Sequence, residues 1–222
     1  MIGAAYRPEP HTLDRLSPDE AIRRSRAFLD SMGMRRSVRH FSSEPVPFEL
    51  VENALRVAGS APSAANQQPW SFVVVTDEVT KARIRAAAEH EEELLYRERA
   101  GAEYLEAIRP IGTDWIKTHI TDAPYVIVVF EQPWRPEGDR KVKHYYVRES
   151  VGIAVGFLLA ALHLSGLATL THAPSPMRFL SEILVRPSNE RPFLLVPVGY
   201  PAPAAEVPRL EKKALEEFTT FV

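Results

Sequence analysis

The chain has 222 residues, of which 45% are hydrophobic and 25% charged, and its formal net charge is −2. This length and composition provide for one sizeable hydrophobic core. The nearly balanced charge lacks the strong basic bias that is typical of a nucleic-acid-binding domain. Because the sequence contains no cysteine, disulfides, thiolate metal sites and thiol nucleophiles are excluded.

Two segments bear on the cellular compartment. Residues 1–15 contain no apolar core of signal-peptide length. Residues 151–170 form an apolar run of about 20 residues, a length that could span a bilayer. Arg148 and Glu149 directly precede this run and His163 interrupts it, so a buried central helix is the better interpretation. The absence of cysteine does not fix the compartment but fits a reducing cytosol, and we expect a cytoplasmic protein.

The first third of the chain predicts two helices and a strand. Ser17 can cap a first helix, and Glu20 completes a capping box with it. Residues 45–62 predict a second helix, because apolar residues recur at intervals of three and four and Gly59 ends the pattern. After the turn-rich residues 60–69, the segment "WSFVVVTD" predicts a buried strand.

The rest of the chain alternates polar and apolar segments. Residues 79–120 are highly charged and helix-prone, which favours an exposed helical excursion or lid. A buried strand, "APYVIVVFEQ", precedes a polar loop, "PWRPEGDRKVKHYY", and an apolar helix from about 146 to 166. A short strand and turn, "ATLTHAP", a short helix, "MRFLSEILV", and a last strand, "FLLVPVGYP", follow.

The tail from residue 201 carries a few large apolar residues that it cannot bury on itself, so we expect an arm that wraps another surface, such as a partner subunit. We predict one α/β or α+β domain over residues 1–222, with about four or five strands. It carries a helical lid insertion at about 79–120 and a C-terminal arm at about 201–222.

Several common sites find no support in the sequence. No G-x-G-x-x-G follows a strand, and neither a G-K-[ST] loop nor a G-x-S-x-G elbow is present. The seven histidines are scattered without a pair at zinc-site spacing, so we expect no metal.

The segment "MRRSVRHF" at residues 34–41 concentrates three arginines and a histidine. "SVR" favours an extended backbone, in which Arg35, Ser37 and Arg39 share one side. Two guanidinium groups and a hydroxyl on one side suit a phosphate or a polar ring edge. The alternative is a solvated basic turn that pairs with local acids.

The segment "APSAANQQPW" is a second candidate site. Its amide and hydroxyl side chains lie on a loop of small residues directly before a strand, and small residues let backbone N–H groups approach a ligand closely. An ordinary capping loop is the alternative. The polar and turn-forming members are Pro62, Ser63, Asn66, Gln67 and Gln68.

Together, "RRSVRHF" and "APSAANQQPWSFVVV" resemble the nitroreductase family of flavin enzymes. Other segments are similar to its iodotyrosine deiodinase branch: "EEELLYRERAG", "DWIKTHITDAP", "KVKHYY", "LLAALHLSGLATLTHAPSPMRFL" and "LLVPVGYP". The resemblance covers roughly residues 30–215. It implies a three-layer α+β sandwich, with a mostly antiparallel central sheet flanked by helices, and an intertwined homodimer that holds two FMN molecules at the subunit interface.

The same resemblance implies the residues that contact FMN. The basic loop would hold the phosphate and the pyrimidine edge of the flavin, and the small-residue loop would lie over the flavin from the other subunit. Lys212 stands where the family usually has an arginine that reaches the phosphate. The implied contacts are Arg35, Arg36, Ser37, Arg39, Pro62, Ser63, Ala64, Asn66, Thr171, His172 and Lys212.

A substrate clamp is also implied. Glu92 and Tyr96 are four residues apart and share a helix face, and Lys117 follows in the next segment. In the deiodinase branch, residues of these types at these places bind an amino acid zwitterion, with Glu on the ammonium and Lys with Tyr on the carboxylate. The resemblance also implies that Ala65 contacts the substrate. Solvated helix charges are the alternative interpretation.

Two departures from the family pattern concern the chemistry. Ala173 stands before a proline where the family commonly has a threonine, whose hydroxyl would bond flavin N5 and favour one-electron steps. Alanine cannot donate, and Thr171 is the nearby candidate to replace it. Ala64 stands where relatives often carry glycine. Both changes favour two-electron hydride chemistry, as in nitro or quinone reduction.

The leading hypothesis is an FMN-dependent homodimeric oxidoreductase that reduces an aromatic substrate, such as a halotyrosine or another phenolic amino acid. The reaction is ping-pong, with the flavin reduced by NAD(P)H or by a separate reductase. One alternative is a broad nitroreductase or quinone reductase with an incidental lid. Another is a flavin-binding or ligand-sensing protein without turnover.

Overall fold

The computed structural model describes residues 6–222. The predicted domain (1–222) and the N-terminal segment (1–15) both include residues 1–5, which lie outside the described residues. The chain divides into two compact units, Met1–Met34 and Arg35–Val222. The first contains helix α1 (Pro18–Met34), where the Glu20 N–H donates to Ser17 Oγ at 3.3 Å, as the predicted cap requires. The Glu20 carboxylate accepts instead from Arg23 and Arg24, so it does not take the part in a capping box that the sequence predicted. No residue of α1 is buried within the described chain.

The second unit contains a helix-flanked sheet and a separate hairpin. Its helices are α2 (Phe48–Gly59), α3 (Glu78–Leu94), α4 (Ala102–Ile108), α5 (His119–Asp122), α6 (Val147–Leu164) and α7 (Arg178–Ile183). Its strands are β1 (Trp70–Val75), β2 (Tyr125–Glu131), β3 (Trp134–Glu137), β4 (Arg140–Lys143), β5 (Ala168–Thr169) and β6 (Arg191–Gly199).

Four strands form the central sheet in the order β1-β2-β6-β5, and every pair is antiparallel. β2 lies inside the sheet, with Val128 opposite Val73 of β1 and Leu195 of β6. Its residues 126–130 are fully buried. The continuous apolar run in β2 is explained by this position, because both faces of the strand are covered.

Helices cover the two faces of the sheet with separate cores. Ile127 and Val129 of β2 belong to a cluster that includes residues of α2 and α6. Val126, Val128 and Phe130 point to the other face and belong to a cluster with residues of α3, α5 and α7. Alternation of side chains along one strand therefore builds both cores. This arrangement confirms the predicted α+β class with a helix-flanked antiparallel sheet.

The apolar helix α6 belongs to the first core. Among the described residues it is the helix that is long and apolar enough to cross a membrane by length and composition, with a mean hydropathy of 1.5. Val151, Ala154 and Leu158 have no exposed surface, because they pack beneath the sheet with α2. One face of this helix is therefore buried as predicted, whereas Ile153 and Phe157 on its other side are 42% and 40% exposed.

The polar segment at 133–146, which we predicted to be a loop, forms the β3–β4 hairpin instead. Glu137 pairs with Arg140, which leaves a two-residue turn at Gly138 and Asp139. Gly138 has a φ of 59°, a left-handed conformation that glycine adopts without a Cβ penalty. A glycine-containing two-residue turn is a hairpin signal, but the flanking polar residues concealed the strands.

The charged segment at 79–120 is more buried than the sequence predicted. Asp77 caps α3 through an Oδ2 that accepts the Thr80 N–H at 2.7 Å. The inner face of α3 carries Lys81, Ile84, Ala88 and Glu92 at helical spacing, and all four are buried. The inner face of α3 is therefore not exposed as expected, and the assignment of 79–120 as a lid stays a prediction. Lys81 and Glu92, the charged residues at the two ends of this buried face, made the apolar residues between them hard to recognise in the sequence.

Gly199 at the end of β6 has no room for a side chain. A Cβ built there would lie 2.6 Å from Pro124 Cδ and 3.3 Å from Phe41 Cδ1. Because a proline ring cannot move aside without its backbone, we expect Gly199→Ala to lower the free energy of unfolding by about 1–3 kcal/mol. Urea unfolding followed by circular dichroism measures this.

Gly59→Ala in α2 is the control, because a Cβ there would meet nothing within 4 Å. We expect a change of at most about 1 kcal/mol, in the stabilising direction, since alanine favours helix over glycine. Equal unfolding free energies for the two variants would contradict the predicted clash.

Candidate active site

The basic segment extends the edge of the sheet. The Val38 N–H donates to the Thr169 carbonyl oxygen at 3.0 Å, and Ser37 forms a parallel bridge with Thr169. Val38 is buried, at 9% exposed, whereas its neighbours Ser37 and Arg39 line a cavity on the other side. The extended backbone thus turns the apolar residue inward and the polar residues toward open space.

This cavity, of about 280 Å³, brings together basic residues from distant parts of the sequence. Its walls come from the basic segment, residue 111, the strand end after β5 and the C-terminal arm. The lining residues are Arg35, Arg36, Ser37, Arg39, Ile111, Leu170, Thr171, Pro208, Leu210 and Lys212.

The basic side chains of this cavity have no carboxylate partners. Within residues 35–222, no ion pair involves Arg35, Arg36, Arg39 or Lys212. Arg36 instead donates to the backbone carbonyl of Pro208, which fixes the arm beside the basic segment. The alternative of a basic turn paired with local acids is therefore not realised. A concave group of unpaired guanidinium groups suits an anion.

Arg39 lines both this cavity and a second one of about 210 Å³, which is bounded by residues 112–119. Of these two cavities, the one of about 280 Å³ is called the larger cavity below. Burial lowers the pKa of Arg39, and the electrostatic effect of Tyr96 partly offsets that shift. A guanidinium remains charged even so, because its ordinary pKa lies far above neutral pH. Arg39 therefore presents a fixed positive charge to both cavities.

None of residues 62–68 lines the larger cavity of the same chain. Ala65, Asn66 and Gln68 have φ values of 51°, 52° and 47°, in the left-handed region that residues other than glycine seldom adopt. The Gln68 N–H donates to Ser63 Oγ at 2.9 Å, which stabilises this unusual backbone. Pro62, Ala65 and Asn66 are left exposed on its outer side.

Gln67 anchors this loop to the end of β4. Its Oε1 accepts the Tyr145 N–H at 2.8 Å, and its Nε2 donates to the Lys143 carbonyl at 3.2 Å. The Ala64 N–H donates to Ser150 Oγ at 3.4 Å, at the start of α6. Three contacts to two other elements thus hold the loop, and its assignment to a flavin of the other subunit stays a prediction.

A buried polar network centres on Glu92. Its Oε2 lies 2.9 Å from Lys117 Nζ, and its Oε1 lies 3.0 Å from His172 Nε2. His172 Nδ1 lies 3.3 Å from His119 Nε2. All four side chains are buried. Glu92 belongs to α3 and His119 to α5, while Lys117 lies just before α5 and His172 follows β5.

The charges of this network follow from its contacts. Burial raises the pKa of Glu92, but the hydrogen bonds from His172 and Lys117 outweigh it and leave the pKa below its ordinary value. Burial, aided by nearby positive groups, lowers the pKa of His119 to about 3. Burial also lowers the pKa of His172, although its bond to Glu92 opposes that shift. At neutral pH the network is one ion pair and two neutral imidazoles.

Neutral imidazoles fix the direction of the hydrogen bonds. His172 Nε2 faces a carboxylate and must donate, so His172 Nδ1 is the acceptor. His119 Nε2 then donates to it. A single donor direction therefore runs from His119 through His172 to Glu92.

Tyr96 and Lys117 meet through the segment between α4 and α5. The Tyr96 hydroxyl donates to the Thr113 carbonyl at 3.1 Å, and Lys117 Nζ donates to Thr113 Oγ1 at 3.3 Å and to the Asp114 carbonyl. Trp115 packs edge-on against Tyr96 at 6.1 Å between ring centroids. Glu92, Tyr96 and Lys117, which the sequence singled out, are thus brought together.

Residues 171–173 separate the cavity from this network. Thr171 and Ala173 are exposed, and Thr171 lines the larger cavity. His172, between them, is buried with its ring on Glu92 and does not line the cavity. Two backbone hydrogen bonds with Leu195, of 2.9 and 2.8 Å, hold His172 on β6.

Sequence reasoning missed the part that the two histidines play. His119 and His172 are 53 residues apart, and His172 and Glu92 are 80 residues apart. No spacing pattern within one helix or strand joins such residues. The sequence did contain one indication of this site. The helical spacing of Ile84, Ala88 and Glu92 places Glu92 on the same face of α3 as the two apolar residues.

Residues 32–200 match the sequence model of the Nitroreductase family. An iodotyrosine deiodinase of Haliscomenobacter hydrossis is 52% identical over 206 residues, 92% of each chain. One of Hydra vulgaris is 43% identical over 94% of this chain and 77% of its own length. This chain belongs to the nitroreductase family.

A solved structure is similar as well. A crystal structure of oxidized iodotyrosine deiodinase bound to FMN and 3-iodo-L-tyrosine has a TM-score of 0.75 and 33% identity to this chain. The match covers 87% of this chain and 100% of that chain. The three-layer sandwich that the sequence resemblance implied is confirmed by this neighbour.

The buried His119 predicts that stability falls in mild acid. Its pKa in the folded state is about 3, against an ordinary value of 6.5, so its stabilising contribution is complete above pH 6.5 and is lost as the pH falls toward 3. The free energy of unfolding should decrease by up to about 1.4 kcal/mol per pH unit for this group. Urea unfolding between pH 7.5 and 5 measures the slope, and His119→Asn should flatten it.

His90→Gln on the exposed side of α3 is the matched control and should keep the wild-type slope. The lowered pKa of Glu92 affects stability only at lower pH, because that group is protonated in the unfolded chain below about 4.5. An identical slope in the wild type and in His119→Asn would show that His119 is not a buried neutral group.

Proposed function

We propose that this chain is an FMN-dependent oxidoreductase that dehalogenates halotyrosines by reduction. Relatives that share its fold and much of its sequence are named iodotyrosine deiodinase, and a solved one binds FMN and 3-iodo-L-tyrosine. The observation in this chain that carries the proposal is the buried pair of Glu92 and Lys117 beside Tyr96. It adjoins, through residues 171–172, a cavity of unpaired basic side chains.

The residues of the larger cavity fit the phosphate and the polar ring edge of FMN. Three guanidinium groups without carboxylate partners face that cavity, and a phosphate carries about −1.5 to −2 charges at neutral pH. Ser37 and Lys212 add donors from the sheet edge and the arm. When bound, FMN accepts electrons from NAD(P)H or a separate reductase and passes them to the aromatic substrate.

The buried ion pair fits the two charges of an amino acid. Glu92 binds the ammonium group, and Lys117 with Tyr96 binds the carboxylate. Within the chain, Glu92 and Lys117 satisfy each other at 2.9 Å. A zwitterion replaces this internal pair with two equivalent pairs, so no buried charge is left without a partner. The chain around residues 112–117 then excludes water from the reacting ring.

The overall reaction replaces the halogen by hydrogen. For an iodinated ring, Ar–I + 2e⁻ + H⁺ gives Ar–H + I⁻, and the two electrons come from the donor through the cofactor. The side chains of this protein supply no nucleophile for it. They hold the amino acid, orient the ring and keep fixed charges around the site.

We further propose a homodimer of one-domain subunits with a lid at 79–120 and an arm at 201–222. Support comes from apolar side chains that the single chain leaves exposed, including Phe28 at 51%, Phe218 at 66% and Phe221 at 83%. In the dimer, Pro62, Ser63, Ala64 and Asn66 of one chain face the cofactor of the other, with Ala65 toward the substrate. The packed face of α6 supports a cytoplasmic location.

Ala173 favours a second candidate function, the two-electron reduction of nitro or quinone groups. A methyl group donates no hydrogen bond, and Thr171 faces the larger cavity from the same side of the extended segment. One-electron steps then depend on the Thr171 hydroxyl or on backbone donors. This candidate shares the cofactor but needs no amino acid clamp.

Bound cofactor is the first test. We expect purified protein to be yellow and Arg39→Ala to bind FMN about 10–100-fold more weakly, because a hydrogen bond to a charged group contributes about 1.5–3 kcal/mol. Fluorescence titration with FMN measures the affinity. Arg178→Ala, an exposed arginine of α7, is the control and should bind FMN as the wild type does. A wild-type chain that neither contains nor takes up FMN would refute the cofactor assignment.

Substrate choice is the second test. The reduced enzyme should release iodide from 3-iodotyrosine, and Glu92→Gln should lower kcat/KM at least about 100-fold, because the ammonium group loses its buried carboxylate. The same variant should reduce a nitroaromatic at the wild-type rate. Glu93→Gln, whose carboxylate pairs with Arg97 on the surface, is the control. Rapid nitroaromatic turnover without iodide release would instead establish the second candidate.

A further inference from the structure

The two oxygens of Glu92 are held in different ways. Oε2 is paired with Lys117, which lies on the irregular segment before α5 and also contacts Thr113 and Asp114. Oε1 is bonded to His172, whose backbone is fixed to β6 by two hydrogen bonds with Leu195. One partner thus belongs to residues 112–117, which we call the lid segment, and the other to the sheet.

The ring of His172 is restrained as well as its backbone. His119 packs against it edge-on, with ring centroids 5.1 Å apart, and donates to its Nδ1 at 3.3 Å. Both histidines are buried, at 4% and 9% exposed. A buried ring with one hydrogen bond at each nitrogen keeps its Nε2 donor aimed at Glu92.

Burial favours the neutral form of His172, and of the charged groups around it Glu92 opposes this effect whereas Lys117 and Arg39 add to it. The groups that act on it are Glu92 from α3, Lys117 from the lid segment, Arg39 from the basic segment and the His119 ring from α5. Two fixed cations oppose a third one, and His119 is neutral. His172 therefore donates to the carboxylate without adding a charge that would compete with an incoming ammonium group.

We propose that His172, supported by His119, is a positioning residue of the amino acid clamp, which holds Glu92 Oε1 on the sheet so that Oε2 alone changes partner when a substrate binds. The inference rests on the proposed function, since it assigns the ammonium group to Glu92. It explains why the carboxylate does not need to find a new rotamer when Lys117 turns to the substrate. A long glutamate side chain loses rotamer entropy when it is fixed, and this network fixes it before the substrate binds.

The proposal predicts an effect on the ammonium group alone. We would compare the affinity of the FMN-loaded enzyme for 3-iodotyrosine and for 3-(4-hydroxy-3-iodophenyl)propanoate, which lacks only that group. The change of the flavin spectrum on titration gives both dissociation constants. Their ratio is the ammonium preference, and a comparison of this ratio between variants isolates the contribution of a side chain to that one contact.

We expect His172→Leu to lower the ammonium preference about 10-fold or more, since it leaves Glu92 without its sheet-bound donor. His172→Gln, which retains a side-chain N–H donor, should restore most of the preference. His119→Leu should lower it by a smaller factor, because the ring of His172 then loses its support. FMN content should stay within about twofold of the wild type in all three.

His90→Gln, an exposed histidine on the same helix as Glu92, is the matched control and should leave both dissociation constants unchanged. A preference that is unaffected by His172→Leu and His119→Leu, or equal weakening of both ligands, would overturn the role of His172. A wild-type enzyme that shows no ammonium preference would instead overturn the clamp itself, so the failure of the inference and the failure of the proposed function are distinguished.

Discussion

Burying an ionised carboxylate is the constraint on which this site depends. Removal of such a group from water costs several kcal/mol unless opposite charge and hydrogen bonds replace its hydration. Glu92 meets this requirement with Lys117 on one oxygen and His172 on the other. The two partners come from separate parts of the fold, so α3, the lid segment and the sheet edge must all be in place before Glu92 can be buried in its charged form.

Charge is arranged differently on the two sides of the extended segment at 171–173. On the clamp side, positive and negative groups satisfy each other within the chain, and a ligand with both charges can replace that pairing. On the side of the larger cavity, Arg35, Arg39 and Lys212 have no acidic partner in residues 35–222 and face open space. Paired charge suits a zwitterion, whereas unpaired positive charge suits an anion such as a phosphate.

Much of the fold and part of the site could be predicted because the relevant patterns are local. The apolar run of β2, the length of α6 and the cap at Ser17 each depend on residues within one element. The basic segment was recognisable for the same reason, since its arginines lie within five positions of one another. The β3–β4 hairpin escaped prediction because its strands are polar and only the turn at Gly138 marks them.

The sequence by itself determined most of the helices, the strands of the central sheet and where the unusual positive charge lies, because hydrophobic periodicity and clustering act over a few residues. Only the tertiary structure decided which charged side chains are buried. Lys81 bonds the carbonyl of Ala123, 42 residues away, and Glu92 bonds His172, 80 residues away. A charged residue on a helix looks solvated in the sequence, and only a partner that the fold brings to it offsets the loss of its hydration.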